Sequence, residues 1–455
     1  MSLWKEVLRA TDLHVTPPLD EYETPSDVPK LRVNRITANP LALKECATTG
    51  ARLGASVFGQ LQRQTSNWPD SSFRKGYIDI QDAGQRRAFY VKFSGEGVDD
   101  HGGPYRAAFQ AAVVEEPPLL GLVQPVPNST DARASNRDKY VFGPLSQGGE
   151  DSDGPISNNR ATSSSSEGID LRDFDFLGKL VGLAVRHSLL VPLQFSSLVW
   201  KPLVALSVGR SDLAGVDLAL VDLLKMTEQW PRDQSEDSDY VETLHDGLAR
   251  AFSGVGGTSS SSMGAGLVIC RRPDPVSGEV KTTKEPLSFH NRFEAVAQAE
   301  QEHAQGSAPQ LAAFFHGLRS VLPVALFPLL SPLELEGLVC GAPTIDIVLL
   351  QRVCEYEGEG VHADAPHVLF FWSALEAMDQ AQRSRFVNFV SARSRLPAST
   401  DDFDMNFKIV EPKPSAKEDP DSHLPHSQTC FFTLSLPFYS SQDVCFKRLV
   451  YAIDK

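Results

Sequence analysis

No two cysteines in this sequence lie closer than fourteen residues. The six stand at 46, 270, 340, 354, 430 and 445, so there is no C-x-x-C pair to seed a zinc site or a disulfide framework. Positive charge is also short: 43 Lys and Arg face 58 Asp and Glu, leaving a net charge of -15. That balance argues against a nucleic-acid partner, which needs a basic stripe, and against docking on an anionic membrane surface. The longest apolar run, VLPVALFPLL at 321–330, is too short to span a bilayer and carries two prolines. The glycine-rich GVGGTSSSS lacks the Gly-Lys-Ser/Thr ending of a phosphate-binding loop. The N-terminus, MSLWKEVLRATDLH, is amphipathic and is not a signal peptide. Asn128-Ser129-Thr130 therefore matches a glycosylation acceptor with no export signal to give it meaning. These absences point to an intracellular, cytoplasmic protein with free thiols.

What remains is an ordinary globular composition, 41% hydrophobic and 22% charged, in 455 residues. That length predicts two or three domains. Two Gly/Ser-rich segments, 145–168 and 253–266, are too poor in apolar residues to bury themselves and read as surface loops. Outside them the pattern is clear. AFYVKFSG (88–95) alternates like a strand. The run 174–206 reads as two buried helices broken at Pro192, and 309–322 as an amphipathic helix. SPLELEGLVCG (331–341) has a Ser cap, Pro at the first helical position and a closing Gly. IDIVLLQRVCEYEG (345–358) reads as a further helix. The polar, glycine-bearing EGEGVHADAPH (357–367) is the hinge candidate, and 368–455 reads as a compact α/β unit of helices, strands at 407–412 and 430–437, and a last helix.

Cys430, in LPHSQTCFFTLSLPFYS, carries the chemical question. Most lone cysteines are packing residues, and Cys340, Cys354 and Cys445 on helical patterns and Cys270 in an apolar run fit that description. Cys430 differs because it opens a strand after a polar, proline-shaped approach. A side chain at such a junction can be exposed, and His423 and His426 lie near enough in sequence to stabilise a thiolate.

Those residues resemble the active-site segment of HECT-type ubiquitin-protein ligases: Leu-Pro, a variable stretch, Thr-Cys-Phe, then an apolar strand ending in Leu-Pro-x-Tyr. The resemblance extends in order from about 56 to 455. VKFSGEGVDDHGGPYR (91–106), the long apolar run after 174, the 331–358 stretch, FFWSALEAM and RFVNFVSARSRLP are all similar to that family's blocks. SVFGQLQRQ (56–64) and NSTDARASNRDKYVF (128–142) are similar to the subgroup of very large HECT ligases with RCC1-like repeats.

The resemblance implies an α+β, bilobal fold: a larger, mostly helical N-lobe and a small α/β C-lobe joined by a flexible hinge. Boundaries follow at 1–55 for a poorly defined extension, 56–356 for the larger lobe, 357–367 for the hinge and 368–455 for the smaller lobe. Within the larger lobe, 207–305 would bind the ubiquitin-conjugating enzyme. Cys430 aligns with the cysteine that carries ubiquitin as a thioester before a substrate lysine takes it. Thr429 keeps the family residue, and Gln428 stands where many members have His. The partners implied are a conjugating enzyme, ubiquitin and protein substrates, with no cofactor and no metal. Relatives run past the last helix to a terminal phenylalanine, whereas this sequence stops at Lys455, which implies a truncated or divergent tail.

Asp100, Gly102, Gly103 and Arg106 belong to the opening block, and their expected role is a tight turn with a buried ion pair. Leu220, Leu223 and Leu224 form an i, i+3, i+4 stripe that would either face the conjugating enzyme or lie in a core. Trp372 and Phe389 read as core of the smaller lobe. Two other readings compete: a catalytically silent HECT-like scaffold, and a cysteine hydrolase, which would bring a histidine and a carboxylate or amide to the thiol.

Overall fold

The computed structural model describes residues 2–13, 28–78, 86–95, 103–114, 118–145, 168–234, 238–253, 267–273, 280–391, 393–403 and 405–454. The two Gly/Ser-rich segments fall almost wholly outside these residues.

The first core forms around two helices far apart in sequence, Leu171–Arg186 and Ala308–Val321. Asp170 caps the first, and Asp173 returns the bond in a capping box. From Asp173 onward most residues are buried, with Asp175 and Lys179 left on a half-buried polar edge. Glycines let the pair approach backbone to backbone. A Cβ at Gly178 would overlap the Phe314 carbonyl oxygen, and one at Gly317 would overlap that of Asp175.

The N-terminal residues belong to this same core, which corrects the expected boundary at 55/56. Trp4 and Leu8 of the helix Ser2–Ala10 are buried in it. Strand Lys30–Val33 pairs in parallel with Tyr90–Phe93, turning Leu31 and Val33 inward. Leu43 and Leu53 follow from two short helices. The sequence signal was sparse because each element gives only one or two apolar side chains.

Inside 207–305 a separate apolar cluster gathers Leu220, Leu224, Trp230, Leu244, Val268, Cys270 and Val296. It joins the Leu218–Glu228 helix to the antiparallel hairpin Leu267–Pro273/Val280–Pro286 and the helix Arg292–Gln305. Asn128 staples this region to the main core. Buried itself, it donates to the Ala214 carbonyl oxygen (2.9 Å) and accepts from the Leu218 amide (2.7 Å).

A second large core runs from Ile345 to Ile453. Its sheet has four strands in the order His426–Gln428, Thr433–Ser435, Phe407–Val410, Cys354–Glu357; the first pair is antiparallel and the others parallel. Helices Pro366–Ala377, Gln380–Ser391 and Gln442–Ile453 cover it, with Trp372 buried and Phe389 packed against it. The α+β class is borne out.

Two readings need correction here. The stretch 345–358 is not one helix: the helix ends at Arg352 and Cys354–Glu357 is an edge strand, the period changing from 3.6 to 2 in C-E-Y-E. Consequently 357–367 does not join the cores. It connects a strand to a helix within the second one, turning through Gly358 (φ 111°) and Gly360 (φ 77°). The crossing lies at 341–344, between Cys340 of the first core and Ile345 of the second. There the Ala342 amide donates to the Leu396 carbonyl oxygen (2.8 Å), and Glu336 faces Lys139 (2.9 Å) and Arg395 (3.9 Å).

Candidate active site

The antiparallel pair His426–Gln428/Thr433–Ser435 is closed by a short 3-10 turn, Thr429–Phe431, and Cys430 is its middle residue. The strand expected to start at Cys430 therefore starts three residues later, at Thr433. The chain reverses at Phe432, whose φ of 49° is left-handed and strained for a residue with a Cβ. Burial holds it there. The Phe432 ring packs 5.1 Å from that of Phe407, and its carbonyl oxygen accepts from the Lys408 amide (3.0 Å). The Thr433 hydroxyl donates to the Phe431 carbonyl oxygen (3.0 Å), while the Phe431 ring is 45% exposed. The Cys430 backbone is thus fixed at a sheet end, followed by an exposed ring and then a buried one. The expected exposure of its thiol lies outside what the structure describes.

The approach to the turn is tied down as well. Tyr439 donates to the His423 carbonyl oxygen (2.9 Å), and Ser440 donates to Asp421 through both its amide and its hydroxyl. These bonds tie the Leu-Pro-x-Tyr end of the motif to its beginning. Gln428 and His426 are exposed, and Thr429 is half-buried. His423 meets the Asp419 carbonyl oxygen (2.7 Å) through Nδ1, so that nitrogen takes no carboxylate, and a hydrolase-type relay gains no support.

Thr429 and Phe432 line a small cavity with Ser391, Arg393, Phe403 and Arg106. Arg106 is the notable member, because it comes from the helix Gly103–Val114 of the first core and is buried. The sequence pointed to this residue but read it as purely structural. Gly103 opens that helix; Asp100 and Gly102, and with them the expected turn and ion pair, lie outside the described residues.

Burial suppresses three of the other thiols. It pushes Cys340, Cys354 and Cys445 each up to about 12, where the thiolate is scarce. Cys270 is fully buried in its hairpin. Cys354 sits on the edge strand, not on a helix.

The leucine stripe is core. Leu220 and Leu224 are buried in the 207–305 cluster and offer no surface to a partner, which corrects that assignment. Leu223 is half-buried and lies against Gly247. Among the described residues, the large apolar side chains this region exposes are Met226 and Phe293. Among the described residues no three His, Cys, Asp or Glu side chains gather to hold a metal ion, and no helix is long and apolar enough to cross a membrane.

Residues 133–455 match the family model described as HECT-domain (ubiquitin-transferase). This chain belongs to the HECT family. The matched range holds the Cys430 turn, the 207–305 region and all of the second core. Among curated proteins, the human E3 ubiquitin-protein ligase HERC2 is 30% identical over 428 residues, covering 92% of this chain and 8% of that protein. Human HECTD4, described as a probable E3 ubiquitin-protein ligase, is 25% identical over 442 residues, 92% of this chain and 10% of its own length. Zebrafish (Danio rerio) E3 ubiquitin-protein ligase HACE1 is 29% identical over 285 residues, 62% and 29% respectively. This HECT chain therefore spans less than a third of each of these relatives.

Proposed function

We propose that this HECT chain is a ubiquitin-protein ligase that accepts ubiquitin on Cys430 and passes it to substrate lysines. The observation that carries the reading is the placement of the Thr-Cys-Phe turn, fixed at a sheet end while three other thiols are suppressed by burial. The Cys430 thiolate attacks the carbonyl carbon joining ubiquitin's C-terminus to the conjugating enzyme's cysteine. A new thioester forms and the conjugating enzyme's thiolate leaves. One thioester replaces another, so the step is nearly balanced and positioning matters more than a strong base. A neutral substrate lysine amine then attacks, an amide forms, Cys430 leaves as thiolate, and the amine's proton passes to solvent or a nearby base. Gln428 and Thr429 immediately precede the reacting residue, and Arg106 lines a small cavity with Thr429 from the other core.

In this reading the 207–305 region docks the conjugating enzyme, with Met226 and Phe293 as contacts, and the 341–344 crossing is the pivot that carries Cys430 between donor and acceptor. The work belongs to the reducing, cytoplasmic side of the cell.

Mixing the protein with thioester-charged conjugating enzyme should give a ubiquitin adduct on a non-reducing gel that thiol reagents remove. Cys430→Ala should abolish it. Cys430→Ser should leave an adduct that thiols do not cleave, because an oxygen ester is the more stable product. Cys445→Ser should keep the adduct. An adduct that survives Cys430→Ala would place the chemistry elsewhere, and a folded protein forming none with several conjugating enzymes would favour the silent scaffold.

A further inference from the structure

We propose a second binding site, unconnected with ubiquitin transfer: the cleft between the Asp70–Arg74 turn and the Ala308–Val321 helix takes a phosphate group through Arg74 and Arg319. The cleft is open, about 420 Å³, and lined by Asp70, Arg74, His316, Arg319 and Ser320. In a chain of net charge -15, two arginines facing one cleft would ordinarily be matched by carboxylates. Three carboxylates do lie close, and each is already engaged. Asp12 holds Arg86 and Arg186. Asp70 pairs with Lys179 (3.1 Å), and Asp175 pairs with Lys179 (3.1 Å) and with His316 Nδ1 (2.6 Å).

Arg74 and Arg319 are left over. The Arg74 Nε is shielded from solvent and has no hydrogen-bond acceptor, a donor whose desolvation nothing offsets. Arg319 is exposed on the last turn of its helix. Ser320 spends its hydroxyl proton on the Gly317 carbonyl oxygen (2.7 Å), so recognition falls to the guanidiniums. Planar guanidinium forks suit the tetrahedral oxygens of phosphate, and two of them offset the repulsion from Asp70, which Lys179 already shields. The phosphate can be carried on a serine or threonine of a protein segment or be free inorganic phosphate; both present the same dianion.

The test is calorimetric titration of the intact chain with inorganic phosphate, with a phosphoserine peptide and with the same peptide unphosphorylated. Tight binding of the phosphopeptide alone assigns the site to modified protein segments, and equal binding of inorganic phosphate assigns it to the free ion. Arg319→Glu, at an exposed position that leaves the fold intact, should weaken either by about tenfold or more, the equivalent of one charge-assisted contact. Arg74→Ala should do the same if its melting temperature is retained. Arg133→Ala, on the Asp131 side of the surface, and Cys430→Ala should leave binding unchanged. No phosphate binding by the unaltered chain, binding indifferent to Arg319→Glu, or equal affinity for the unphosphorylated peptide would overturn the proposal.

Discussion

His187 sits where a charge cannot be held. It is fully enclosed, its Nδ1 accepts from the Tyr105 hydroxyl (2.9 Å) and its Nε2 donates to the Lys75 carbonyl oxygen (3.2 Å). Burial, then the nearby Arg86, drives its pKa from 6.5 to about 3. The folded value is depressed, so the unfolded chain takes up a proton below pH 6.5 that the folded chain refuses. Stability from this residue is present above pH 6.5 and is lost as pH falls toward 3, at about 1.4 kcal/mol per pH unit. Denaturant unfolding followed from pH 7 to pH 4 should show that slope, and His187→Gln should flatten it while lowering stability at pH 7. A slope unchanged in His187→Gln would mean other groups govern acid unfolding. The same residue scale explains what could be read at Cys430. Its side-chain type, polar approach and trailing phenylalanines are local facts, and the family resemblance was legible from them. The Phe432 reversal was not, because it rests on a ring packed against Phe407, twenty-five residues upstream.

Elements were legible where one period held along their length, as in Leu171–Arg186 and Pro332–Cys340, and misread where the period changed, as at Arg352. The leucine stripe of Leu218–Glu228 showed that a face would be buried but not against what. Gly178 and Gly317 of the paired helices carry the opposite information, since each marks where a neighbour's backbone comes close. Gly317→Val should destabilise by about 3 kcal/mol, the upper range for overpacking, because the new Cβ overlaps the Asp175 carbonyl oxygen. Gly337→Ala, in the helix Pro332–Cys340, meets open space and should stabilise by about 0.5–1 kcal/mol. Thermal melts of the two variants should move in opposite directions; a shared direction would contradict the close approach.

At the scale of the whole molecule, two cores meet at a crossing of four residues, 341–344. The polar composition of 357–367 pointed to the wrong turn, because glycine and charge mark any exposed reversal, whether between domains or inside one. Glu336, between Lys139 and Arg395, is one of the contacts at the true crossing. Arg395→Glu sets two carboxylates against each other and should speed limited proteolysis within 341–344 while leaving circular dichroism unchanged. An unaltered cleavage rate would mean that this contact does not restrain the joint. The larger core has a different vulnerability, rooted in the glycine-tight pair Leu171–Arg186 and Ala308–Val321. The first helix is buried along most of its length from Asp173, and its partner lies more than a hundred residues later in the chain. At about 5–20 residues per second a ribosome needs on the order of ten seconds to deliver that partner. For that interval the nascent chain carries a largely apolar helix without the partner that covers it, an aggregation hazard of which the finished surface gives no sign.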